Sequence, residues 1–353
     1  MADSGGHWKT LDEARKLTDS TKIPGVQETD IKKGNPVELM QVVQAANTGK
    51  SIKWLREKNF SDSAVSELDI GEQLTWSDDV EYDEVEVFLK RLGIQRPLDK
   101  WNSAIHGTYN NYRAIALLET EKKMKRKIGD RIIYGDYTYN SQWDGLHAYA
   151  AEQGAVYAGT LGTGSKLNID QADAGLSLEY LRAMLSAMVF GVDALWANKV
   201  VWNWMDAAYQ EKGFAGLAYN VAGNLGLITM GLDDVGKSIT RFDSVPLIDM
   251  DYLMGETTGT GTGATSNARS KNSAGVFSVF GVKGGNVMNQ EPGICFGFGG
   301  TSGQGDLYDL TLFPQLEDYD AEGLRMISYG AVLLGSPAAL GRIADIADAA
   351  ITV

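Results

Sequence analysis

The stretch GLDDVGKS, Gly231 to Ser238, spells G-x-x-x-x-G-K-S. In that spacing the backbone N–H groups of a glycine-rich loop cradle phosphates, a lysine reaches toward them and a serine hydroxyl holds a magnesium ion. The chemistry would be nucleotide hydrolysis, and it requires a buried strand before the loop and a helix after it, whose N-terminus holds the anion. LGLITM before Gly231 suits the strand. The segment from Ser238 onward does not suit the helix: SITRFDSVPLIDMD has alternating apolar residues and carries Pro246. Asp233 and Asp234 would face the phosphates and repel them. The expected structure is a β-turn exposing Asp233, Asp234 and Lys237, with a P-loop NTPase as the alternative.

Other reactive residue types are sparse or scattered. His7, His106 and His147 show no zinc-ligand spacing, and the single Cys295 has no second thiol. Cys295 sits in the apolar run PGICFGFGG, which favours a buried, inert thiol over a nucleophile. No G-x-S-x-G or H-E-x-x-H pattern occurs. Acid pairs such as Asp78–Asp79 and Asp249/Asp251 are expected by chance at the surface of a chain with 46 acidic residues. The expectation is therefore a protein without catalysis, cofactor or metal.

The 353 residues are 44% hydrophobic and 22% charged, which is globular composition with enough apolar side chain for a sizeable core. A net charge of −14 argues against a chain-wide phosphate-binding surface. One cysteine cannot make an intrachain disulfide. MADSGGHWKT lacks the pattern of a signal peptide, and no apolar run is long enough for a membrane helix. The 41 glycines predict many turns and close backbone contacts.

Along the chain, residues 1–35 read as an extended arm with a short helix near Leu11–Leu17. Asn35 and Pro36 are a cap and first position for a helix through NPVELMQVVQAAN. SIKWLREKNF alternates as a strand, and VEVFLKRLGIQR alternates again as its return. Between Glu57 and Glu86 lie eleven Asp/Glu and one lysine, Lys58. These segments make an extended acidic β-hairpin. Two strands alone are marginal in water, so something else must cover it. A helix of roughly 30 residues, about 45 Å long, is predicted from Ser103 to Asp136. Met124, Ile128 and Ile132 mark its buried stripe, Gly129 a kink or close contact, and Lys122, Lys123, Lys125, Arg126, Lys127 and Arg131 a basic end. Beyond WDGLHAYA the pattern is mixed. A helix over SLEYLRAMLSAM is capped at Ser177, and a strand and helix over DALWANKVVWNWMDAAYQEKG end at Gly213. Several strands come next, with a Gly/Thr/Ser-rich loop at GETTGTGTGATSNARSKNSAG.

This ordered set resembles the major capsid proteins of tailed bacteriophages, which share the HK97-like fold. EVEVFLKRLGIQRPLDK, the helix ending RIIYGD, and QWDGLHAY look like that family's hairpin-return strand, spine helix and subsequent turn. SITRFDSVPLIDMDYL is similar to the family's x-G-V-P-h strand, with Ser244 in the glycine's place. GLRMISYGAVLLGSPAALGRI looks like the C-terminal return. The likeness covers roughly residues 35 to 345.

The resemblance implies an α+β HK97-like capsid fold. Its parts would be an N-terminal arm (1–35), the start of a peripheral domain (36–56), an extended hairpin or E-loop (57–90), and the peripheral domain with its spine helix (91–149). An axial domain (150–315) and a return to the peripheral domain (316–353) complete it. It implies a virion protein, assembled in the host cytoplasm, that forms pentamers and hexamers of an icosahedral shell. Its partners would be a portal, weakly and non-specifically held double-stranded DNA and, with room left for it, a decoration protein. No membrane partner is implied. Only about 35 residues precede the first matching element, so scaffolding is expected from a separate protein. No lysine lies between Asn59 and Leu89, so the hairpin-tip lysine crosslink of some members is not expected.

Opposite charge suggests where subunits meet. The residues proposed for that contact are Glu67, Asp69, Glu72, Trp76, Asp78 and Asp79 of the hairpin, against Lys122, Lys123, Lys125 and Arg126 of the helix. An encapsulin-like compartment, with the same fold but a different cargo, and a fibrous or tail-associated protein are further alternatives.

Overall fold

The structure, a computed structural model, describes residues 30–45, 51–59, 65, 67–73, 81–100, 112–138, 141–152, 156–158, 165–215, 228–232, 238–257, 271, 275–299, 306–317 and 320–351. The helix expected near Leu11–Leu17 and the start of the long helix at Ser103 lie outside these residues.

Asn35 caps as its side chain predicts: its Oδ1 accepts the N–H of Val37 at 3.1 Å, and Pro36 takes the first helical position. The helix, α1 (Pro36–Leu39), is nevertheless four residues long. The expected longer helix gives way to strand β1 (Gln41–Gln44), where β-branched Val42 and Val43 pair in parallel with β12 (Ile294–Phe298). Tertiary pairing overrides a weak local helix preference here.

The two alternating runs form the hairpin of β2 (Ser51–Asn59) and β3 (Glu81–Phe88), a two-stranded sheet of its own. The return run, expected as one strand, is divided. After Leu89 the chain enters β4 (Lys90–Asp99), which leaves the hairpin and pairs with β14 (Ala321–Leu334). β14 is the spine of a five-stranded sheet. Its first part lies between β4 and β13 (Asp309–Phe313), and its second part pairs with β12, which in turn holds β1.

The long helix, α2 (Tyr112–Tyr134), spans about 35 Å at 1.5 Å per residue. Its stripe Ala116, Thr120, Met124, Ile128 and Ile132 is fully or almost fully buried at i, i+4 spacing. Thr120 fits that apolar row by donating its hydroxyl to the Ala116 carbonyl at 2.7 Å. Gly129 supplies a close contact: a Cβ there would lie 2.7 Å from Asn35 Oδ1 and 3.0 Å from the Tyr252 ring. α3 (Leu146–Glu152) comes after the Asp144–Gly145 turn.

An eight-stranded mixed sheet runs in the order β5-β6-β15-β11-β7-β10-β9-β8. Its strands are β5 (Val156–Ala158), β6 (Ser165–Ala174), β7 (Ala194–Ala197), β8 (Ile228–Leu232), β9 (Ser238–Phe242), β10 (Val245–Asp249), β11 (Phe277–Val282) and β15 (Leu340–Ile346). α4 (Leu178–Ala187) starts after Ser177 as expected, although the serine side chain makes no capping bond. α5 (Lys199–Ala215) continues through Gly213, which was expected to end it. Tyr180, Leu181, Met184, Val201 and Met205 on these two helices pack with Ile169, Val279 and Ile343 of the sheet. A second core gathers Ile128, Ile132 and Ile133 of α2 with Trp143, Trp196, Phe280, Phe296 and Val332, drawing on both large sheets.

Sheet membership cuts across the expected domain boundaries. β12 and β13 lie within 150–315 yet pair in the five-stranded sheet, and β15 lies within 316–353 yet pairs between β6 and β11.

Candidate assembly surfaces

Among the described residues, the hairpin is anchored at its root and exposed farther out. Ile52 is buried, and Trp54, Val87 and Leu89 pack with it against Val43, Val287, Cys295 and Leu333. Farther out, charges pair across the two strands: Lys53 Nζ lies 2.9 Å from Glu84, and Arg56 2.7 Å from Asp83. The Glu84 and Glu86 carboxylates hold the Lys53 ammonium above its ordinary range, and a hydrogen bond from Ser51 holds Glu86 below its own. Large apolar side chains point to solvent: Leu55 is 69% exposed, Val65 77% and Ile70 fully. A monomer gains nothing from such a surface, since each side chain forgoes the burial that would stabilise it.

Of the proposed contact residues, Glu67, Asp69 and Glu72 are all exposed on the excursion. Asp69 and Glu72 form a local turn, with the Asp69 N–H donating to Glu72 Oε2 at 3.2 Å and the Glu72 N–H to the Asp69 carbonyl at 3.1 Å. Trp76, Asp78 and Asp79 lie outside the described residues. On α2, Arg126 is engaged within the chain. It pairs with Asp30 at 2.5 Å and also donates to the Asp30 carbonyl, pinning the arm to the helix. That hydrogen bond, and then the guanidinium charge, hold the Asp30 carboxyl below the usual carboxylate range. Lys125 pairs with Glu121 at 3.0 Å, one helical turn away. Lys123 is exposed and Lys122 half-buried. Among the described residues, the ion pairs of Lys53 and Arg56 stay within the hairpin, and those of Lys125 and Arg126 go to Glu121 and Asp30.

The opening motif resolves into a hairpin. Gly231 pairs with Ile239 and Leu232 with Ser238, and Ser238 opens strand β9 in place of a helix. Residues 233–237 lie outside the described residues. One turn later Asp243 (φ 48°) and Ser244 (φ 68°) are both left-handed, the two-residue turn that joins β9 to β10. Ser244, in the glycine's place of the sequence pattern, holds a backbone conformation that glycine favours. Cys295 is fully buried, and burial pushes its thiol up.

Sequence reasoning missed one cluster. Glu256, His147 and Arg342 are each completely buried. Glu256 Oε1 accepts from the Tyr134 hydroxyl at 2.9 Å and lies 3.0 Å from His147 Nε2, while Oε2 accepts from Ser278 at 2.7 Å. Arg342 donates to Asn168 Oδ1 at 3.1 Å and 3.0 Å and to the His147 carbonyl at 3.3 Å, and its NH1 lies 3.3 Å from His147 Nδ1. Burial, and then the Glu256 charge, keep the Tyr134 phenol protonated well above its ordinary range. His147 lies 109 positions from Glu256 and 195 from Arg342, and only the fold brings the three together. Among the described residues no group of three His, Cys, Asp or Glu could hold a metal, and no helix is long and apolar enough to cross a membrane.

No protein-family profile matches the chain, and none of the curated proteins compared with it does. Solved structures do. The encapsulin of the holo-SrpI complex from Synechococcus elongatus superimposes with a TM-score of 0.63 at 12% identity, covering 96% of both chains. The capsid of a native GTA particle gives 0.57 at 12% identity over 94% of this chain and 96% of the other. The capsid of the cyanophage P-SCSP1u gives 0.54 at 12% identity over 93% of each.

The chain has the HK97-like fold. These matches extend over 93–96% of the chain.

Proposed function

We propose that the protein is a structural shell subunit that assembles into an icosahedral capsid around a phage DNA genome, without catalysis. The observation that carries the reading is the hairpin, a two-stranded sheet that, among the described residues, is packed against the body at its root, with Leu55, Val65 and Ile70 exposed. Such an element is stable when a neighbouring subunit covers it. Capsids among the structural neighbours support the same reading. Pentamers and hexamers of the chain would form the shell, with a portal and a separate scaffolding protein as partners.

A second reading, a protein compartment, is favoured by the encapsulin likeness, whose TM-score of 0.63 exceeds those of the two capsids. Both readings predict closed shells and differ in contents. Electron microscopy of purified particles, with nucleic acid and protein cargo assayed, tests them: packaged DNA supports the capsid and an enzyme cargo the compartment. Rods, or a chain that stays monomeric at high concentration with and without scaffold, would overturn both. Deleting residues 61–83 is expected to leave a soluble chain that makes no shells. Lys237→Ala is expected to leave shell formation unchanged, and saturable ATP binding abolished by it would restore the nucleotide reading.

A further inference from the structure

We propose that His147, Glu256 and Arg342 form a proton-sensitive latch tying the end of the long helix to the eight-stranded sheet. The geometry spans six segments: Tyr134 ends α2, His147 lies on α3, Glu256 comes after β10, Ser278 is on β11, Asn168 on β6 and Arg342 on β15. Phe280 of β11 meets the His147 ring edge-on, with centroids 4.8 Å apart, and Tyr134 stacks on it at 5.3 Å. Beyond Tyr134, the Lys271 ammonium lies over the phenol ring and pairs with Asp130.

The donors assign the imidazole. Arg342 can only donate, so the Nδ1 it faces carries a lone pair, and Nε2 carries the proton directed at Glu256. In this state one carboxylate and one guanidinium balance, and every Glu256 oxygen has a donor. A second proton on the ring would have to go to Nδ1. It would set an imidazolium against the guanidinium and leave the buried set with a net positive charge. Glu256 attracts such an imidazolium, but its single negative charge already balances the guanidinium, so the added proton still leaves the set net positive.

Proton counting gives the sign. An imidazole freed to solvent takes its proton near pH 6.5. The open state therefore binds a proton that the closed state does not, and closure weakens as pH falls below that value, by up to tenfold per pH unit for one proton. The latch is independent of what the shell encloses. In an assembled particle it makes acid loosen the α2–sheet junction while the hairpin's surface ion pairs stay intact.

Amide hydrogen exchange on the full chain tests it, corrected for the intrinsic pH dependence of exchange. Peptides covering residues 128–134 and 146–151 are monitored at pH 7.5 and 5.0, with residues 180–187 of α4 as the internal control. The expected result is at least a tenfold rise in opening at the two junction peptides at pH 5.0, with α4 unchanged. His147→Gln can still donate to Glu256 and accept from Arg342 but takes no proton, so its response is expected to be flat. An unaltered pH response in His147→Gln would overturn the latch. Should that variant not fold, the wild-type measurement decides alone: junction peptides that open no more than α4 would overturn it equally.

Discussion

Gly145 and Gly135 meet backbone to backbone: the Gly145 N–H donates to the Gly135 carbonyl at 2.9 Å, where α2 ends and the chain turns toward α3. A Cβ on Gly145 would lie 2.7 Å from the Gly135 nitrogen and from the Ile132 and Ile133 carbonyl oxygens, none of which can swing aside. Gly145→Ala is therefore expected to destabilise the chain by about 1–3 kcal/mol, the range for overpacking a tight site. Chemical denaturation of the full chain measures it as a lowered midpoint, and an unchanged midpoint would show that the turn opens without strain.

The β9–β10 turn predicts a gain. Ser244 holds φ 68°, a region costing an L-residue about 1–2 kcal/mol and glycine almost nothing. Ser244→Gly is expected to raise stability by about 1 kcal/mol, less the entropy that glycine adds to the unfolded chain. A raised denaturation midpoint with an unchanged slope is the readout.

Asp144 gives a pH signature. Burial raises its carboxyl above the ordinary range, although the Tyr137 N–H donates to its Oδ1 at 2.8 Å and offsets part of that. For a raised acid, the favourable contribution is complete below the unfolded value near 3.9 and is lost as pH rises through the folded one. Asp144→Asn keeps the acceptor and removes the charge. It should be more stable than the parent at pH 7.5, with the difference vanishing toward pH 3. An advantage that persists at pH 3 would refute the assignment.

The charge contact between chains is tested by reversal. Residues Glu57 to Glu86 carry a net −10, and Glu119 to Arg131 a net +3. Exposed pairs are worth at most about 1 kcal/mol each, so such contacts set register more than strength. Lys122→Glu, Lys123→Glu and Lys125→Glu together are expected to slow shell assembly or make it aberrant, and added salt to slow the parent. Assembly rates by light scattering that ignore both changes would sink the contact. Arg126 is left out of the set because it holds Asp30 within the chain.

The sequence by itself determined the features that rest on local pattern. The acidic alternating runs specified the hairpin, Met124, Ile128 and Ile132 the buried face of α2, Asn35 the cap of α1, and the proline after Ser238 a strand where a P-loop needs a helix. Their order along the chain was enough to read the HK97-like fold. The tertiary structure decided the features that depend on distant partners. Gln41 to Gln44 became a strand because β12 offered an edge, and Gly129 is required because Asn35 and Tyr252 press on it. Arg126 turned inward to Asp30, and Lys123 and Lys127 are the exposed charges of the basic end. The Glu256–His147–Arg342 junction had no sequence signal. Its members are single residues separated by 109 and 195 positions, and nothing in a local window reveals a carboxylate, an imidazole and a guanidinium buried together. Periodicity reports which side of an element is buried, whereas the partner on that side is chosen by the packing of sheets that the chain visits far apart in sequence.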